Sequence, residues 1–392
     1  MPRRSLALLT VLVTATALAP AAVADQPTRS PELSETSRLA DRRALVTGDR
    51  AWVMGDEAGL YPAAGFHTRG EMGGFWSPPV KLLDGLWFAV DGRWLGEDVP
   101  ATRYSRGWGY QRFDYAGAGI TAERVEFVPD GQRAVVVGLT LRGDARREVT
   151  LSLDAHCELM PAYPWGTTTP SADGDTPDTG RFTGDALEFS DTAAPRDYAA
   201  YVGSSRRPDG HALGAAHRGP QDPPVICPAE GTAPARCDDS TFGKGTGGRL
   251  DYRVRLAPGR GTTVWFTVAG TDTGTADARA GFDRALRDPA GALRDIVRSR
   301  RERGGTTVVD LPGDRLLQRS VEQSKQNLLD SVQEVRDLEI RATAAGTRYR
   351  RRWRPCRGRA GWPPGSPTTR GCSPPTASTP RTRPWRPGSS TW

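Results

Sequence analysis

Lysine, asparagine and isoleucine are nearly missing from this chain: three Lys (Lys81, Lys244, Lys325), one Asn (Asn327) and four Ile stand beside 50 Arg. That bias marks a coding sequence rich in G and C. The four histidines (His67, His156, His211, His217) are scattered and the five cysteines unclustered, which excludes a metal site built on close Cys/His spacing. G-x-S-x-G, a phosphate-binding glycine loop and H-E-x-x-H are all absent. No apolar run outside the N-terminus is long enough to span a bilayer. The sharpest absence is at the end. Residues 350–392 hold ten Arg and nine Pro but no Lys, Asp, Glu, Ile, Leu or Val. Such a stretch cannot bury enough apolar surface to offset its chain entropy, and it has neither helical nor strand period. A disordered basic tail over residues 346–392 is predicted.

Residues 1–24 have the parts of an export signal. Arg3 and Arg4 open it, Leu6 to Leu18 form the apolar run, and Ala22-Val23-Ala24 gives a small-residue cleavage site. The run is short for a membrane anchor. The paired arginines fit a twin-arginine route. A secreted protein with no membrane association after signal removal is expected. The net charge of +7 sits in the signal and the tail; residues 25–349 carry 41 basic and 46 acidic side chains, a net of −5. That balance argues against a nucleic-acid partner. Cys227 and Cys237 flank a Pro/Gly/Ala loop, so a local disulfide is expected in an exported chain. Cys157 lies in a strand-like run and is expected to be buried and inert.

Strand signals fill residues 44–275. Leu86–Val90 and Arg93–Leu95 flank Asp91-Gly92, a type I′ turn pair. Ile120–Val128 and Arg133–Leu141 flank Pro129-Asp130-Gly131, and Glu148–Ala155 alternates apolar with polar. Leu250–Leu256 and Thr262–Val268 are expected to pair across Pro258-Gly259. Many short antiparallel strands with Gly/Pro turns predict a mainly β fold, a large β-sandwich. Long Gly/Pro/Asp/Thr-rich stretches interrupt it at Trp165–Arg181 and Ser204–Gly248. Helical pattern takes over in 276–345: Asp277–Arg301, interrupted at Pro289, then Asp314–Ile340. In the latter, Leu317, Val321, Leu328, Val332 and Val335 fall on one face, with Asp314 as cap. That face needs a partner that the chain does not visibly supply. The predicted order is signal 1–24, linker 25–43, sandwich 44–275, linker helices 276–345 and tail 346–392.

The richest stretch for chemistry is Met54 to Gly85. Sugar sites need flat apolar faces for pyranose rings and charged groups for hydroxyls. Arg69, Glu71, Phe75, Trp76 and Asp84 supply those types and are the predicted carbohydrate-binding residues. The same residues would equally suit a packed, hydrogen-bonded loop closing one end of the sandwich. Glu57 and Glu71 have the residue type of a glycosidase acid/base pair. Asp154, His156 and Tyr163-Pro164-Trp165 are weaker candidates. No catalytic residue, cofactor or metal is assigned.

Gly55-Asp56-Glu57 through Asp84-Gly85, Glu158-Leu159-Met160, Tyr163-Pro164-Trp165 and the helix Ser320–Ile340 resemble secreted bacterial glycogen-debranching-like proteins of the six-hairpin glycosidase superfamily. The resemblance covers residues 44–349. It implies a β-sandwich leading into a toroid of paired helices that supplies the catalytic carboxylates, none of which is present here. The tail carries a further sign. Reading the third base of each codon with the first two of the next, Ser366–Thr379 permits P-D-Y-P-W-L-F-A-T-D-G-E-Y, which resembles the opening of such a toroid. The expectation is a frameshift near Tyr349. The chain would then be the non-catalytic sandwich portion of a glycoside hydrolase, inactive as it stands. The rival expectation is a stand-alone extracellular carbohydrate-binding sandwich.

Overall fold

The computed structural model describes residues 32–61, 73–117, 119–161, 177–192, 197–221, 245–307, 309, 311 and 313–334, and the backbone of a two-stranded ribbon, Glu339–Ile340 with Tyr349–Arg350. The chain divides into two units, Met1–Arg351 and Arg352–Trp392. The second unit, the export signal and most of the expected tail lie outside the described residues. So do Cys227 and Cys237, on which the disulfide expectation rests.

The fold is mainly β, in antiparallel sheets, with three helices among the described residues. A nine-stranded sheet forms the middle layer. Its central strand, Ala134–Gly143, is apolar almost throughout because both of its faces are covered. Val135, Val137, Leu139 and Leu141 face one way, into a core shared with Phe88, Leu151, Leu153, Tyr252 and Phe266. Ala134 and Val136 face the other way, toward Ala278, Phe282, Ala285 and Ile296. The first core lies under two five-stranded sheets, one holding Arg147–Cys157 and the other Trp52–Asp56. The second lies under α1 (Thr275–Ala285) and α2 (Pro289–Gly304). The two sheet layers make the expected sandwich, and the helices add a third layer.

Local turn chemistry places the hairpins where the sequence puts them. Asp91 and Gly92 both have positive φ, 50° and 77°, and Val90 pairs with Arg93 across them. Ile120–Phe127 pairs with Ala134–Gly143 along its whole length. One predicted pairing is overturned. Thr246–Leu256 pairs with Arg147–Cys157, whereas Thr262–Thr271 pairs with Ala134–Gly143 and Tyr198–Ser204. The turn at Pro258-Gly259 therefore carries the chain from one sheet to the other, and each strand pairs with segments distant in sequence.

The predicted helix 277–301 is two helices. Asp288 Oδ1 accepts from Gly291 N at 2.8 Å and Pro289 occupies the first turn, a ready helix start. α3 runs Arg315–Asp330, capped as expected by Asp314, whose Oδ1 accepts from Leu317 N at 2.9 Å. It is shorter than predicted: residues 331–334 leave the helix and Glu339–Ile340 is extended. No helix among the described residues is long and apolar enough to cross a membrane.

Candidate functional site

Strands Gly74–Ser77 and Val80–Leu83 form a short hairpin, after which Asp84 turns the chain into Gly85–Val90 of the other five-stranded sheet. Asp84 marks the corner. Its backbone N–H donates to His156 O at 2.8 Å. Its carboxylate is fully buried and spends both oxygens: Lys81 Nζ donates to Oδ1 at 2.5 Å, and His156 Nδ1 donates to Oδ2 at 2.7 Å. Lys81 Nζ also lies 5.8 Å from the centre of the Trp76 ring. Trp76 stacks on Trp52 at 5.8 Å and donates through Nε1 to Gly73 O at 2.8 Å. Phe75 is fully buried, 5.8 Å from the Tyr61 ring.

The fold thus gathers Phe75, Trp76 and Asp84 at one corner, but inside it. Trp76 is 6% exposed and the other two have no exposure. This corrects the expectation of a sugar-facing surface at these three residues: their apolar faces are used against one another, and the Asp84 charge is neutralised within the protein. Arg69, Glu71 and the Tyr163-Pro164-Trp165 run lie outside the described residues. Glu57 is half-buried 3.8 Å from Arg42, and burial pushes its carboxyl up. Asp154 is held by Arg249, whose Nε donates to Oδ1 at 2.6 Å, and by Gly219 N. Cys157 is a buried free thiol, as expected, donating to Asp178 Oδ2 at 3.3 Å. Burial pushes Asp178 well above the usual carboxylate range.

Sequence reasoning passed over Lys81 and kept His156 only among the weaker candidates. The available signal was a lysine inside the apolar run Val80–Leu83. Chemically, the Lys81–Asp84–His156 trio is a clamp. Each oxygen of the carboxylate is occupied, and no hydroxyl or thiol nucleophile sits on it among the described contacts. It fixes the angle between the two five-stranded sheets.

A second buried polar group lies between layers. On strand Ile120–Phe127 the core-facing positions are Ile120, Ala122, Arg124 and Glu126, so two charges occupy sites where the alternation calls for apolar residues. Arg124 NH1 donates to Gly59 O at 2.9 Å, and its Nε lies 3.1 Å from Glu126 Oε1. Its guanidinium covers the Phe113 ring at 4.3 Å. Gln111 Nε2 donates to Glu126 Oε2 at 2.6 Å, and Tyr104 Oη donates to Gln111 Oε1 at 3.2 Å. Asp56 closes the turn that meets this group: Leu60 N donates to its Oδ1 at 2.8 Å. Burial pushes Asp56 up to about 6, against the pull of the Leu60 amide and of Arg124. Among the described residues, Asp56 Oδ2, Tyr61 Oη, Tyr115 Oη, Arg124 Nε and Glu126 Oε1 are buried with no hydrogen-bond partner. No group of three or more His, Cys, Asp or Glu among the described residues is arranged to hold a metal ion.

No known family profile matches this chain. No curated protein matches it. Solved structures do resemble it in chain path. One is described as a kojibiose phosphorylase from the human microbiome, with TM-score 0.48 and 8% identity over 76% of this chain and 41% of its own. A bacterial glucoamylase complexed with acarbose gives TM-score 0.45 and 8% identity, again over 76% of this chain and 41% of its own. A family GH92 α-mannosidase from Bacteroides thetaiotaomicron gives 0.40 and 12% identity, over 77% of this chain and 37% of its own. This chain spans about two fifths of the length of these structures.

Proposed function

We propose that this chain is the non-catalytic β-sandwich portion of an exported glycoside hydrolase of the six-hairpin lineage, without turnover of its own. The observation that carries this is the orientation of α3. Gln326 and Asp330 are each 2% exposed and face the protein, whereas Leu317 and Leu328, on the opposite side of the helix, are 49% and 70% exposed. Val332, just beyond the helix end, is 64% exposed. At 100° per residue Leu317 and Leu328 fall within about 20° of arc, and Gln326 and Asp330 lie about 150–170° from its centre. A water-facing helix puts its polar side out. On α3 Leu317 and Leu328 are left in water while Gln326 and Asp330 are buried, which suits a connector covered by a further helical layer. The sequence resemblance names such a layer, the toroid that would bear the catalytic carboxylates.

The buried state of Asp84, Asp154 and Glu126, each tied to a cation or amide, supports the absence of catalysis from the described part. On the same reading residues 1–24 are an export signal and the coding phase is lost near Tyr349. Incubation of the purified chain with glycogen, maltooligosaccharides and aryl glycosides is expected to give no turnover. Activity that co-purifies with the chain through successive columns would overturn the proposal. The gene sequence around codon 349 tests the phase loss separately: an open frame continuing with an acidic, aromatic-rich segment is expected.

A further inference from the structure

We propose that Asp56 is a proton-controlled latch between the two sheet layers of the sandwich, closed in mildly acidic medium and weakened as the medium becomes neutral. Asp56 ends strand Trp52–Asp56 of one layer. Arg124, Glu126 and Tyr115 belong to the nine-stranded sheet opposite. The layers meet at the turn 56–60, where Gly59 O takes a hydrogen bond from Arg124 NH1. Gly59 has φ of 85°, and a side chain there would run into Tyr115 Oη and the Arg124 guanidinium. The turn is therefore fitted against the opposite sheet with no slack.

Charge balance makes the latch depend on a proton. The buried cation is Arg124, 2% exposed, and the buried carboxylates are Glu126 and Asp56, each 1% exposed. Glu126 already lies against Arg124. Ionisation of Asp56 adds a negative charge to this buried group. Among the described residues, the other groups facing it do not supply a second buried cation. Tyr61 and Tyr115 are held neutral because burial pushes both phenols up. Tyr104 is likewise pushed up by burial, and Gln111 is neutral. Glu57, the next residue, adds negative charge and is paired with Arg42 at 3.8 Å. Arg43 stands opposite Asp56 in register, but its side chain is exposed. Burying an uncompensated carboxylate is costly, so the ionised state opposes closure.

The sign follows. A carboxyl held above its unfolded value contributes no penalty while both states are protonated, and a growing one as pH rises through the folded value. The window runs from about 4, the ordinary value for Asp, to about 6. Two measurements on the full chain test the latch. First, the side-chain carboxyl of Asp56, followed by carbon NMR on 13C-labelled protein, is expected to titrate near pH 6; a midpoint at or below about 4 overturns the proposal. Second, the melting midpoint of wild type relative to Asp56→Asn is expected to fall by several degrees between pH 4 and pH 6.5 and then level off. A difference that is flat or rising over that window overturns it. If Asp56→Asn does not fold, amide exchange of Gly59 and Leu60 in the wild type serves instead. Corrected for intrinsic base catalysis, it should speed up between pH 4 and 6.5 by roughly 40-fold, as a shift of about two units requires over that window. Unchanged exchange overturns the latch.

Discussion

Lys81 and Asp84 are a buried pair that a single change would hurt. Both are essentially out of water, and the third partner, His156, depends on the same carboxylate. Removing one partner strands a buried charge, which typically costs about 3–5 kcal/mol. Lys81→Met is therefore expected to lower the unfolding free energy from urea titration by that amount, while Lys81→Met with Asp84→Asn together should recover part of it. Gly59 is a second sensitive point. Gly59→Ala must adopt a left-handed backbone and displace Tyr115 or Arg124, so a loss above about 1 kcal/mol is expected in chemical denaturation. Trp76→Ala belongs here too. Because the ring is packed against Trp52 and tied to Gly73, the variant is expected to lose about 3–5 kcal/mol of stability. Its affinity for oligosaccharides in calorimetry is expected to match that of wild type. Trp76 and Asp84 were visible in the sequence as types suited to sugar. Burial reversed their meaning, because the same flat apolar faces that stack on a sugar also stack on each other.

At the scale of elements, α3 makes an unusual demand. Its contact with the rest is polar: Gln326 Nε2 donates to Gly107 O at 2.7 Å, Arg300 Nε to Asp330 Oδ1 at 2.8 Å, and Thr47 Oγ1 to Asp330 O at 2.8 Å. Lys325 Nζ donates to Gly304 O and Thr307 O at 2.8 and 2.6 Å. Replacing the outer leucines, Leu317→Ser with Leu328→Ser, should change stability by no more than about 1 kcal/mol, since exposed sites away from special features cost within about 0.5 each. Arg300→Ala should cost several times more, because it leaves Asp330 and Asp130 without their shared cation. Thermal melts of the two variants side by side check the contrast. The apolar stripe of this helix was legible in the sequence from spacing alone. Which side would be covered was not, since spacing defines a face without saying what lies against it. The hairpins at Asp91-Gly92 and Pro129-Asp130-Gly131 were legible because turn residues act locally. The link at Pro258-Gly259 was misread for the same reason: a local turn signal cannot report that each flanking strand pairs with segments far away in sequence.

At the scale of the whole molecule, an exposed apolar stripe has a consequence in solution. A contiguous apolar patch on a soluble chain favours association or partner binding. The purified chain is expected to self-associate with rising concentration in sedimentation velocity, and Leu317→Ser with Leu328→Ser should suppress it. The absence of concentration dependence in wild type would count against an uncovered seam. The layered fold itself follows from the strand pattern: Ala134–Gly143, buried on both faces, can only sit in the middle of three layers.

By itself the sequence determined the mainly β character, the hairpins at Asp91-Gly92 and Pro129-Asp130-Gly131, the break at Pro289, the Asp314 helix start and the apolar face of α3, because turn chemistry, capping and periodicity act within a few residues. Only the tertiary structure decided that Phe75, Trp76 and Asp84 point inward, that Arg124 reaches Gly59 O across two layers, and that Gln326 and Asp330 of α3 are buried while Leu317 and Leu328 are exposed. Those outcomes depend on which distant segments meet, and solvent exclusion at such meetings, rather than residue type, sets whether an aromatic ring or a carboxylate serves as a surface or as a core.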